Sequence, residues 1–105
     1  MKPPGLRARD LDVLRATFCR FPSIREVRVF GSRTTDTARR AADLDLALAA
    51  PDATPAQWAD ICEAIENAPL IYELDVVRLD TLVDARLRNK IARDGIVIYP
   101  EQGVG

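Results

Sequence analysis

The stretch that decides the fold reads VRVFGSRTTDTARRAADLDLAL, Val27 to Leu48. Val27 and Val29 alternate with Arg28, the pattern of a half-buried strand, and the apolar run ends at Gly31-Ser32. Ten residues later a second run begins, Asp43-Leu44-Asp45-Leu46-Ala47-Leu48. Side chains of a strand alternate between its faces, so Leu44, Leu46 and Leu48 share one face and Asp43 and Asp45 the other. The leucine face belongs against a core. The two carboxylates then stand together on the opposite face, where their like charges repel unless a cation lies between them.

Working outward, each flank supplies the elements such strands need. Before them, LRARDLDVLRATFCRF (Leu6 to Phe21) places Leu11, Leu14 and Phe18 on one helical face, and Pro22 closes the helix. The first strand is expected over Ile24 to Phe30, ending at Gly31. After the second strand, Thr54-Pro55-Ala56-Gln57 is a helix start, with Thr54 as N-cap, Pro55 at the first helical position and Gln57 completing a capping box. Trp58, Ile61, Cys62 and Ile65 form its apolar stripe, better suited to a core than to base stacking. LIYELDVVRL (Leu70 to Leu79) reads as a third strand. Asp80 or Thr81 is expected to cap a last helix that turns Leu82, Leu87 and Ile91 inward and stops at Gly95. IVIY (Ile96 to Tyr99) makes a short final strand. The expected fold is one mixed α/β (α+β) domain, a mixed sheet of about four strands with helices packed on one face.

Composition narrows the chemistry. The 105 residues fit a single domain, and hydrophobic and charged fractions of 48% and 30% are ordinary for a globular one. A net charge of −1 disfavours a broad basic face for nucleic acid. The chain has no histidine, and Cys19 and Cys62 are far apart, so a Cys/His zinc site and any histidine-activated nucleophile are excluded. Both cysteines read as half-buried helix residues rather than a disulfide. The N-terminus MKPPGLRARD lacks the apolar core of a signal peptide, and no run approaches the ~20 apolar residues of a membrane span, so a cytoplasmic protein is expected.

The remaining chemistry rests on carboxylates, arginines and hydroxyls. Carboxylates without histidine or thiolate match a hard ion, Mg²⁺ or Mn²⁺. In YELDVVR, Asp75 and Glu73 share one face while Leu74 and Val76 take the other. If this strand neighbours the second, an acid of this pair lies beside Asp43 and Asp45. Three carboxylates on one sheet face can hold two ions ~3.5–4 Å apart. Gly31 allows close approach of a ligand to the backbone, Ser32 adds a hydroxyl donor, and Arg33, Arg39 and Arg40 on the same loop can neutralise phosphates. Each feature also has an ordinary reading: a solvated strand face for the acids, a turn or cap for Ser32, a solvated loop for the arginines. Arg86, Arg88, Lys90 and Arg93 form a basic helix face that serves solubility or an acidic partner.

Gly-Ser, ten residues, Asp-x-Asp and a later strand Asp together resemble the DNA polymerase beta-like nucleotidyltransferase superfamily, and within it the minimal nucleotidyltransferase group. The resemblance spans about residues 24–99, including IARDGIVIY, within a single domain over 1–105. It implies that Gly31, Ser32 and Arg33 bind the nucleoside triphosphate, that Asp43 and Asp45 bind Mg²⁺, and that Asp75, rather than Glu73, binds the second ion and activates the acceptor hydroxyl. It further implies transfer of AMP from ATP to a tyrosine of a HEPN-domain toxin, with this chain as the antitoxin. The loop departs from the family pattern at Thr34-Thr35-Asp36, where relatives commonly carry glycine. A non-catalytic antitoxin that neutralises its partner by complex formation is the second reading.

Overall fold

The computed structural model describes residues 8–30, 43–70 and 73–100, with Asp43, Leu44 and Glu73 described by strand position alone. Helix α1 (Ala8–Phe18) is followed by strands β1 (Glu26–Phe30) and β2 (Asp43–Ala49), helix α2 (Pro55–Glu66), strand β3 (Glu73–Arg78), a 3₁₀ turn at Leu79–Thr81, helix α3 (Ala85–Asp94) and strand β4 (Ile96–Tyr99). This is the expected order. The four strands form one sheet in the order β3-β2-β1-β4. β1 is antiparallel to both β2 and β4, while β2 and β3 are parallel, joined over α2. The sheet is therefore mixed.

The alternation read in β2 decides which face is core. Val27 and Val29 of β1, with Leu46 and Leu48 of β2, are fully buried against Leu11, Leu14 and Phe18 of α1 and Ile61 and Ile65 of α2. Trp58, Leu74 and Val76 pack against this core, so the Trp58 stripe belongs to it as expected. Phe18 meets Tyr99 edge-on at 5.6 Å between ring centroids. Arg15 ties α1 to the edge strand, its Nε donating to the Ile98 carbonyl at 2.8 Å.

Two helices thus share one face, and α3 takes the other. There Ile91 packs with Phe30 and Ala47, and Val77, Leu79, Leu82 and Leu87 complete a second, smaller core. The expectation of helices on a single face missed this because Leu87 and Ile91 are apolar at helical spacing whichever face they cover.

Caps explain the helix boundaries. Thr54 accepts from the Gln57 N–H at 3.1 Å and the Gln57 side chain accepts from the Thr54 N–H at 2.9 Å, so the capping box forms as read. The start of α3 differs from expectation. Asp84 is its cap, accepting from the N–H groups of Arg86 and Leu87 at 3.0 and 3.2 Å. Asp80 is occupied elsewhere: its carboxylate accepts from the Ala50 N–H at 2.8 Å and from Arg78 Nε at 3.0 Å. Gly95 ends α3 in an extended conformation, φ −71° and ψ 144°, not the left-handed one. Its necessity is one of space, because a Cβ there would lie 2.5 Å from the Ile91 carbonyl oxygen and 3.3 Å from Arg28 Cδ.

Cys62 is half-buried on α2, whereas Cys19 is exposed in the turn after α1; both thiols are free. Among the described residues no helix is long and apolar enough to cross a membrane.

Candidate functional site

The register of β2 builds the site. Asp45 is the partner of Phe30 in the antiparallel pair and of Asp75 in the parallel pair. One position thus touches both neighbours: on one side the last residue of β1, after which the chain continues into Gly31 and Ser32; on the other the acid singled out in β3. Partners in register point to the same face, so Asp45 and Asp75 stand side by side on the face opposite the main core. Asp45 is half-buried and Asp75 exposed, an arrangement in which one carboxylate is held by the sheet and the other opens to an incoming group.

Asp43 is the first residue of β2 and pairs in register with Glu73, the first of β3. The strand positions of all three expected acids, and of the competing Glu73, therefore cluster at the same end of two adjacent parallel strands. Gly31, Ser32 and Arg33, with Asp36, Arg39 and Arg40, lie outside the described residues. Among the described residues no three acidic, thiol or imidazole side chains gather into a metal-holding group; of the expected trio, only Asp45 and Asp75 have described side chains. Those two are hard oxygen donors in adjacent register positions, and the chain has no histidine to compete. Such a donor set fits Mg²⁺ or Mn²⁺.

The walls of this face come from α3. It starts after the Leu79–Thr81 turn, at the far end of β3, ends at Asp94, and passes through Gly95 to Ile96 of β4, the register partner of Val29 near the end of β1. It therefore crosses the face obliquely. Arg28, paired with Glu26 at 2.6 Å, lies on one side of it; Asp45 and Asp75 lie on the other.

One polar cluster was not anticipated from sequence. Arg78, at the end of β3, donates through Nη2 to the carbonyls of Ala50 and Ala53 at 2.9 and 3.0 Å, pairs with Asp80, and stacks over Trp58 at 5.1 Å. It clasps the connection between β2 and α2 at the end of the sheet remote from the acids. The only sequence signal is the spacing Arg-Leu-Asp at a strand end, which is common.

Comparison with known proteins gives the chain's family and fold. The family model described as polymerase beta, nucleotidyltransferase, matches residues 13–103. No curated protein matches the chain. Among solved structures, a toxin–antitoxin crystal structure with AMP-PNP superposes with a TM-score of 0.69 at 19% identity, covering 89% of this chain and 75% of that one. A MntA–HpeT toxin–antitoxin variant with two aspartates changed to glutamate gives a TM-score of 0.67 at 16% identity, covering 88% and 74%. At these identities the likeness is one of fold.

Proposed function

The chain belongs to the polymerase beta nucleotidyltransferase family, and from that premise we propose that it transfers AMP from ATP to a hydroxyl, a tyrosine of a HEPN-domain toxin, and so acts as the antitoxin of the pair. The observation that carries the reading is the register of Asp45 against Asp75 on one face, beside the strand end that leads into Gly31-Ser32. The toxin–antitoxin pairing of both structural neighbours, one of them with AMP-PNP, supports a partner-bound role with a bound adenine nucleotide.

Asp43, Asp45 and Asp75 are the residues that would hold the divalent ions. When bound, such ions lower the pKa of an attacking hydroxyl and neutralise charge on the triphosphate. The chain's own residues do the rest. The backbone at Gly31 and the Ser32 hydroxyl donate to the phosphates, and Arg33 pairs with them. Asp75, the exposed acid, accepts the proton of the acceptor hydroxyl. The hydroxyl oxygen bonds to the α-phosphorus and the bond to pyrophosphate breaks, so catalysis is positioning and charge stabilisation rather than covalent chemistry.

The test is incubation of the purified protein with Mg²⁺, α-labelled ATP and the protein encoded beside it. Label on that protein, absent with Asp45→Asn, is the expected result. If Asp45→Asn still silences the partner in cells, complex formation replaces catalysis as the mechanism. Absence of label under all conditions, with the partner still bound, would overturn the transfer reading.

A further inference from the structure

We propose that the flank of α3 carrying Arg86 and Lys90 is a docking surface for an acidic segment of the protein that presents the acceptor hydroxyl. α3 holds four cations and one anion in ten residues, on a chain whose total charge is −1. The helix has three distinct stripes. Leu87 and Ile91 face the second core. Arg88, Ala92 and Gly95 form the flank turned toward Arg28: Arg88 and Ala92 line a cavity of about 260 Å³ with Arg28, and Gly95 abuts its side chain. Arg86, Lys90 and Arg93, at i, i+4 and i+7, form the opposite flank. Because α3 crosses the sheet face obliquely, with Arg28 on one side and Asp45 and Asp75 on the other, this third stripe leads from Arg86, at the sheet end remote from the acids, toward the carboxylate end.

Two of the three charges on that flank, Arg86 and Lys90, are not spent on the fold. Arg88, on the other flank, donates to the Leu82 carbonyl at 2.9 Å, and Arg93 pairs with Asp94 at 3.2 Å. Arg86 and Lys90 are exposed, and among the described residues neither has an ion pair. Two cations one helical turn apart, on a stripe that leads toward carboxylates that repel an acidic chain, steer such a chain along the helix while its hydroxyl reaches the acids. The stripe runs about 10 Å from Arg86 to Arg93, longer than one phosphate group and suited to an extended peptide. Nucleic acid is the less fitting occupant, since the chain as a whole is slightly negative.

The proposal takes its acceptor from the transferase reading, but its test does not need turnover. The probe is a fluorescein-labelled peptide with one tyrosine flanked by glutamates, followed by anisotropy at low salt, against a peptide of the same length flanked by lysines. The variant is R86E/K90E. The control is R9E/R20E, which makes the same charge change at an exposed residue of α1 and one in the turn after it, away from α3. The glutamate peptide should bind the wild type and the control, and lose about tenfold or more in affinity with R86E/K90E. High salt should weaken the wild-type binding, since exposed charges are screened. Binding of Mg·ATP should be unchanged. Equal binding by R86E/K90E and wild type, no preference over the lysine peptide, or an equal loss in R9E/R20E overturns the proposal. So does a loss confined to Mg·ATP or to a single-stranded RNA probe, which would reassign the stripe. Loss of transfer with peptide binding intact would instead count against the transferase reading.

Discussion

Asp45 and Asp75 are register partners across the parallel β2–β3 pair, which places two like charges on strands about 4.8 Å apart. Both acids stand third in their strands, on the face away from the main core, and under the transfer reading a divalent cation would join them.

Mg²⁺ should therefore raise the melting temperature of the wild type, and EDTA should reverse the effect, because a ligand bound only to the folded state stabilises it by mass action. Asp75→Asn, at an exposed position, should leave the metal-free protein as stable or slightly more so, and should flatten the Mg²⁺ response. Calorimetry with and without the ion reads both. In the transfer assay the same substitution should cost about 100-fold or more.

Thr54→Ala removes half of the capping box at the start of α2. The expected cost is about 1 kcal/mol, or a fall of about 4–8 °C in melting temperature for a domain near this size. Thr54→Ser should recover most of it, since the hydroxyl that accepts from Gln57 is retained. A thermal scan of the three proteins is the measurement.

Gly95→Ala should destabilise although the backbone there is ordinary for any residue. The new methyl would meet the Ile91 carbonyl and the Arg28 side chain, and crowding of this kind costs about 1–3 kcal/mol. Denaturant unfolding should move to a lower midpoint with an unchanged slope. An unchanged midpoint would mean that α3 shifts freely on the sheet.

Cys62 should alkylate far more slowly than Cys19. Burial, and then the Glu66 carboxylate, push the Cys62 thiol up from its ordinary value, so little thiolate is present near neutral pH, and the thiolate is the nucleophile. Raising the pH should speed Cys62 steadily until its raised pKa is passed. Timed iodoacetamide labelling with mass spectrometry follows each site separately.

Much of this was legible in the residues. Strict alternation in DLDLALA put the acids on one face before any neighbour was known, and Thr54-Pro55-Ala56-Gln57 gave the start of α2, because those signals are local. That β3 neighbours β2 enters the sequence reading only as a condition, and the parallel sense of the pair not at all, since strand order and direction are set by how whole elements pack. The cap of α3 is ambiguous in the sequence for a related reason. Asp80, Thr81 and Asp84 are all competent caps, and the choice fell to Asp84 because Asp80 is drawn to Arg78 and the Ala50 N–H. The face chosen by α3 was equally hidden, as an apolar stripe does not say which side of a sheet it covers.

The clasp of Arg78 and Asp80 has a consequence at the far end of the sheet. A parallel pair that slips by one residue turns every side chain to the wrong face, which here would bury acids and expose leucines. Arg78 and Asp80 grip Ala50 and Ala53 just beyond the paired positions Leu48 and Arg78. They act as the alignment pin of the two strands. The spacing of the carboxylates is thus gauged at a point well away from the chemistry, and a substitution that loosens the pin should blunt the site without touching it.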